Sequence, residues 1–489
     1  MAEQSLKDKT VKGTFWSAID AVFKYGVSFV VGIVLARLLT PDDYGLIGIL
    51  TIFISLFNVI VDGGFTNAII RKQNATDVDY CTVFYTNLVV SVFLATVLFL
   101  CAKPISVFFE RPELVSLTRA MSPVVIINAL AMVQKARLTK RIDFKTQTKI
   151  TIIAATTSGV IGIGMALAGC GVWSLVGQQL SNFGLNTIFL WIFNKWWPKL
   201  VFSWRSFKEL WDFGWKLLVS GVLGAITDEL NHAVIGKYYS PASLGQYTRA
   251  HQFGSLLSSN VTNIVQRVSF PVLSTIQDDQ QRLKAGYKRV IKTTMLPTFA
   301  CMLMLAAIAK PLIVTLIGEK WMMATTILPI LCLTMMMHPL HALNLNAIQV
   351  CGRSDLTLKL KIIKTFLTFI PIGLGIYFND IYWLLWGGAV VGFFAYYLNA
   401  YYSKELLDYS VGEQVKDVLP SFLIALVVAI PVWFLGLIPA KPYLLLLIQL
   451  LAGGLLTLLI NEMVKLPEYL ELKEIALGVV SKMKKNKRG

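Results

Sequence analysis

Arg37-Leu-Leu-Thr-Pro41-Asp-Asp-Tyr-Gly45 and Lys237-Tyr-Tyr-Ser-Pro241-Ala-Ser-Leu-Gly245 stand 200 residues apart and share one grammar: a cation, a hydroxyl, Pro and Gly at identical spacing. Each copy follows one long apolar run and precedes another, so each reads as a tight turn between two helices. The second copy lies within the stretch Phe213 to Arg249, a helix to Gly236, the turn, and a new helix from Gln246. Two related halves are implied, with their junction just before that stretch.

The same shift aligns helix faces. Ser55, Asn58, Asp62 and Thr66 recur at helical spacing as one polar row, and Ser255, Ser258, Thr262 and Gln266 repeat it. Asp20, Lys24 and Ser28 share a face whose counterpart holds Ser220, Gly224 and Asp228, with Asn231 nearby. A third match, Arg141-Ile-Asp143 against Arg353-Ser-Asp355, has an offset of 212.

The rest of the composition says where these helices reside. Of 489 residues 55% are hydrophobic and only 15% charged, with mean hydropathy +0.63, too little polar surface for several soluble domains. Apolar runs long enough to cross a hydrocarbon core of about 30 Å recur from end to end. They lack the period-two alternation of a membrane barrel. We read an all-α polytopic membrane protein of fourteen spans, at about 12–39, 44–69, 78–101, 114–134, 147–169, 171–193, 211–236, 246–270, 290–312, 322–349, 357–378, 381–402, 418–438 and 442–463. The Lys-bearing N-terminus is read as the start of a retained first span rather than a cleaved leader. Six spans per half is an even number, so the halves enter the membrane in the same direction. Expected domains are 1–200 (spans 1 to 6), 201–410 (spans 7 to 12), 411–465 (the last two spans) and a basic tail, 466–489.

A net charge of +17 invites a nucleic-acid partner, but the Lys and Arg lie in short links rather than on one folded face, which excludes it. Most fall at the N-terminus, in alternate links such as Lys135 to Lys149, and in the tail. By the positive-inside rule these are cytoplasmic, as are both termini. Lys24, Lys216 and Arg267 lie inside spans. The six cysteines have no paired spacing and read as packing residues, so neither a disulfide framework nor a metal site is expected.

Several short motifs recur in order along the chain: Lys12-Gly13 with Phe15-Trp16, Asp62-Gly-Gly-Phe65 with Ala68-Ile-Ile-Arg71, Gly171-Val-Trp-Ser-Leu-Val176, Phe213-Gly-Trp-Lys216, Leu244-Gly-Gln-Tyr247 with Arg249-Ala250, and Phe270-Pro271. With the repeated turns, these residues resemble the polysaccharide and oligosaccharide (Wzx-like) flippases of the multidrug and oligosaccharidyl-lipid exporter superfamily, most of all the colanic-acid and teichuronic-acid exporter subgroup. The resemblance covers almost the whole chain. It implies two six-helix lobes that rock around a central cavity, with the last two helices alongside. It also implies movement of an undecaprenyl-pyrophosphate-linked oligosaccharide across the bacterial inner membrane, with a polysaccharide polymerase and chain-length proteins as partners. We expect a monomer without enzymatic activity or cofactor, with H+ or Na+ as candidate coupling ions.

A charged glycolipid headgroup crosses the bilayer only if protein groups replace its hydration. Lys24, Arg37, Lys237, Arg249 and Arg267 are the headgroup candidates. Against them stand pairing of Lys24 with Asp20, anchoring at the outer surface for Arg37, Lys237 and Arg249, and plain inner-surface charge for Arg267. Asp228, Asp62 and Asp20 are the cation-coupling candidates. Neighbouring residues on a helix point about 100° apart, so of Asp228-Glu229 only Asp228 shares the face of Ser220 and Gly224. Asp62 has a second reading as a helix-end residue beside Gly63-Gly64. Arg141 with Asp143 and Arg353 with Asp355 are gate candidates, or ordinary cytoplasmic charge. The competing readings are a cation-coupled drug antiporter, disfavoured by mixed charge on the repeated faces, and a membrane glycosyltransferase or polymerase, for which no link is long enough.

Overall fold

The computed structural model describes residues 26–274, 276, 279–351 and 353–486, so Asp20 and Lys24 lie outside the described residues. Its secondary structure is helical, without strands among those residues. By contact the chain forms two compact units, Met1–Gly245 and Gln246–Gly489.

The first unit contains α1 (Gly26–Leu38), α2 (Pro41–Asp62), α3 (Phe65–Arg71), α4 (Asp77–Leu100) and α5 (Ala102–Phe109). It continues with α6 (Leu114–Met121), α7 (Pro123–Lys140), α8 (Phe144–Leu167), α9 (Trp173–Asn194) and α10 (Trp204–Tyr238).

The repeated turns fold as their spelling requires. Thr40 Oγ1 accepts the Asp43 N–H at 3.2 Å while Asp43 Oδ2 accepts the Thr40 N–H at 2.9 Å, a capping box with Pro41 opening the helix. In the second copy Ser240 Oγ accepts the Ser243 N–H at 3.0 Å, and Pro241 again comes first. Gly closes each copy because the copies touch. A Cβ on Gly45 would overlap the Pro241 carbonyl, and one on Gly245 the Pro41 carbonyl. Each turn thus receives the other's backbone where only hydrogen fits.

Gly63 and Gly64, at φ 54° and 74°, break the second span into α2 and α3. Helix α10 crosses at that break, with Gly214 against the Gly64 backbone, so no side chain fits at either position. Beneath the crossing, Phe65, Ile69, Tyr80, Phe84, Val133 and Trp196 form a buried core. Its polar members are satisfied internally: Gln134 Nε2 donates to the Trp196 carbonyl at 2.9 Å and Asn194 Nδ2 to Gln134 Oε1 at 2.6 Å.

Helix α11 (Pro241–Ser274) starts in the first unit and continues into the second. There follow α12 (Gln280–Ala307), α13 (Ala309–Ile317), α14 (Met322–Met335), α15 (His338–Val350) and α16 (Ser354–Phe378). The last are α17 (Ile381–Leu407), α18 (Val411–Leu435), α19 (Pro442–Val464) and α20 (Pro467–Asn486). Met335, Met336 and Met337 are buried at the break between α14 and α15, ahead of Pro339. Glu468 of α20 accepts from the Ser421 hydroxyl at 3.2 Å and Glu471 pairs with Arg289 at 2.8 Å, tying the final helix to α18 and α12.

Ten helical segments among the described residues are long and apolar enough to cross a membrane. Their outer faces carry exposed Val, Phe, Leu and Trp side chains, as lipid contact requires. The other expected spans fall on α1, which is short in its described part, and on α9, α10 and α11. Helix α10 has 35 residues. At about 1.5 Å per residue it is far longer than the hydrocarbon core is thick, so its polar first turns reach past the membrane.

Candidate functional site

The polar row of the second span meets α10 inside the first unit. Asn58, Val59, Asp62, Gly64 and Asn67 on one side and Leu217, Leu218 and Gly221 on the other line a pocket with about 300 Å³ of water-accessible space. Gly221 makes the approach possible, since a Cβ there would meet Val59 Cγ1 at 2.9 Å. Asn128 of α7 donates its Nδ2 to Asn58 Oδ1 at 3.1 Å, fixing that amide. The remaining donors and acceptors of Asn58 and Asn67 are suited to hydroxyl groups.

The carboxylates of this seam do different work. Asp62 accepts from the Thr66 hydroxyl and from the backbone N–H groups of Gly64 and Thr66, so it spans the Gly63-Gly64 break and caps α3. One level along, Glu229 accepts from the Ser55 hydroxyl, and its Oε2 lies 3.3 Å from His232 Nδ1. Glu229 is thus an α10 carboxylate that reaches the polar row. Asp228 is exposed, on the face it shares with exposed Ser220. It stands two turns from Gly221, which lines the pocket.

The remaining candidates are dispersed. Arg37 is exposed at the end of α1, and Lys216 is exposed on α10. Lys237 pairs with Glu110 at 2.8 Å and lies 5.1 Å from the Phe108 ring centroid, while nearby Arg111 bonds Asp42 at 3.0 Å. The Lys237 ammonium holds the Glu110 carboxyl below its ordinary value by hydrogen bond and charge. In the second unit Arg249 is buried and donates to Gln252 Oε1 at 2.5 Å. Arg267 is on α11, and its side chain is outside the described set.

At the gate candidates, Arg353 and Asp355 pair with each other at 3.0 Å. Arg141 and Asp143 are occupied separately. Arg141 Nη1 donates to Asn194 Oδ1 at 3.5 Å, whereas Asp143 caps α8 by accepting the Thr146 N–H at 3.1 Å and its hydroxyl at 2.7 Å.

Three residues at this seam carry little signal in the sequence. Asn67 and Asn128 had no periodic partner to flag them. Glu229 was set aside for its neighbour.

Comparison with known proteins adds to this geometry. The sequence model of a family described as "Polysaccharide biosynthesis protein" matches residues 34–326. An uncharacterized membrane protein in the cps region of Klebsiella pneumoniae is 27% identical over 445 residues, covering 89% of this chain and 90% of that protein. Lipopolysaccharide biosynthesis protein WzxC of Escherichia coli (strain K12) is 24% identical over 373 residues, 75% of each chain. Among solved structures, lipid II flippase MurJ in an inward closed conformation aligns at TM-score 0.75 and 14% identity, covering 93% of this chain and 98% of that one. At that identity the likeness shows the fold.

Proposed function

The chain belongs to the polysaccharide biosynthesis protein family, and from that membership we propose that it is a flippase for a lipid-linked oligosaccharide. Undecaprenyl pyrophosphate is the proposed carrier, and the bacterial inner membrane the site. The observation that carries the reading is the pocket of the first unit: amide and carboxylate groups inside a bundle whose outer face is apolar. Such a lining is costly unless something polar uses it.

In this reading Asn58 and Asn67 take sugar hydroxyls as the headgroup leaves water, each exchanging one hydrogen-bond partner for another. Asp62 holds the α2–α3 break open and is spent as a cap. Glu229, between Ser55 and His232, joins Asp228 and Asp20 as a proposed group that binds or releases a cation. Lys24, Arg37, Lys237, Arg249 and Arg267 stay as proposed phosphate contacts, with Lys237 needing first to leave Glu110. Arg141, Asp143, Arg353 and Asp355 stay proposed as cytoplasmic gate groups. Alternating exposure of the pocket to the two membrane faces completes the cycle, with both termini cytoplasmic. A polymerase would take the product.

The test is complementation of a strain lacking its own exporter. Asn58→Leu and Glu229→Gln are expected to lower polymer output on the order of tenfold at unchanged membrane levels, a transition-state cost of about 1.4 kcal/mol. Wild-type output from both variants would remove the seam from the transport path. Cysteine-labelling of a C-terminal Cys from outside the intact cell would contradict the proposed orientation.

A further inference from the structure

Helices α5 and α13 repeat a further piece of sequence and differ in what meets the closing carboxylate. Ala102-Lys103-Pro104 opens α5 and Glu110 closes it, as Ala309-Lys310-Pro311 opens α13 and Gly318-Glu319 follows it. Each short helix thus carries a cation at its positive N-terminal end and an anion at its negative C-terminal end, the reverse of what a helix dipole favours. In the first copy Glu110 meets a protein cation, Lys237, at 2.8 Å. In the second, Lys310 and Glu319 have no ion-pair partner among the described residues. Both are exposed, and both line a cavity of about 440 Å³.

That cavity forms within the second unit, where the hairpin of the last two spans leans on α13. Helices α12 and α14 belong to consecutive membrane crossings, so α13 between them lies at a membrane surface, and the link 436–441 between α18 and α19 meets it there. Pro311 and Val314 of α13, Met322 of α14, and Leu437, Ile438 and Leu445 of the hairpin supply apolar walls. The hairpin wall is held in place: buried Gln449 donates to the Val432 carbonyl at 2.7 Å and packs on Gly436, where a Cβ would meet Gln449 Nε2 at 2.9 Å. The volume falls within the roughly 300–1,000 Å³ of small-ligand sites.

A ligand matched to this lining brings an anion to Lys310 and the α13 N-terminus, a cation to Glu319 and the C-terminal end, and an apolar part to the walls. An anionic lipid satisfies the first and third and leaves Glu319 beside a like charge. A zwitterionic phospholipid with a primary ammonium satisfies all three, its ammonium taking at Glu319 the place that Lys237 takes at Glu110. We infer that this cavity binds phosphatidylethanolamine, with the phosphate at Lys310 and the ammonium at Glu319. The seated lipid joins the α18–α19 hairpin to α13, which gives the last two spans a lipid-binding role independent of the cargo.

The test is native mass spectrometry of the full chain released from micelles, titrated with phosphatidylethanolamine or with phosphatidylglycerol of the same acyl chains. Wild type is expected to retain one phosphatidylethanolamine about tenfold more tightly than phosphatidylglycerol. Glu319→Gln should bring the two lipids within about twofold of each other, whereas Lys310→Gln should weaken both by about tenfold. Because each charge opposes the α13 dipole, neither variant should lower the melting temperature in lipid-free detergent, a fall that a purely structural role would require. Equal retention of the two lipids by wild type, a preference that survives Glu319→Gln, or retention unchanged by Lys310→Gln would overturn the site.

Discussion

The polar row of the second span and its sequence copy on α11 begin alike and end differently. In the first, Asn58 lines a pocket, Ser55 serves Glu229 of another helix, and Asp62 caps α3 across a break. In the second, α11 runs unbroken for 34 residues. Its hydroxyls are consumed locally: Ser255 donates to the Gln252 carbonyl at 3.2 Å, Thr262 to the Ser258 carbonyl at 2.8 Å, and buried Ser258 to the Met335 carbonyl at 2.7 Å. Where the first copy has Gly63-Gly64, the second has Asn263-Ile264. Two glycines therefore separate a row that lines a pocket from a row that packs. The break lets α10 approach and leaves polar side chains facing a space instead of a neighbouring backbone.

Breaking the comparison at its root should have the largest effect. Gly64→Val places a side chain against the Gly214 backbone at φ 74°, and the strain with the overlap should cost about 3 kcal/mol. We expect lost polymer output and a lower melting temperature in detergent. Next, Asn58→Leu should lower output on the order of tenfold with melting little changed, and Thr262→Val should leave output at wild type. Ser258→Ala should show the converse, a stability loss of about 0.6 kcal/mol by chemical denaturation with transport intact. The smallest effect belongs to the turn that the copies share. Because Lys237 holds the Glu110 carboxyl below its ordinary value, the pair contributes above the unfolded Glu value, near pH 4.3, and fades as pH falls through the lowered folded value. Glu110→Gln should flatten the dependence of melting temperature on pH between about 3 and 5 without altering output at neutral pH.

Much of the fold was legible because bilayers permit few solutions. Long apolar runs between Pro-, Gly- and charge-marked links have to be helices, and the repeated turn carried the Gly residues that let its copies touch. The site was legible only in part. Periodicity found Ser55, Asn58 and Asp62 because they lie on one helix. It could not foresee that Gly63-Gly64 would turn Asp62 into a cap, since that depends on how α3 restarts. Asn128 enters from a third helix and has no signal in the chain at all.

The central claim is that cargo passes along the α2–α10 seam of the first unit. Site-specific photocrosslinking tests it most directly, with a benzophenone amino acid at Leu218 on the pocket wall or at Thr262 on the second row, in cells producing the lipid-linked oligosaccharide. The account expects a carbohydrate-positive adduct from Leu218 and none from Thr262. An adduct from Thr262 with none from Leu218, at equal expression, would contradict it.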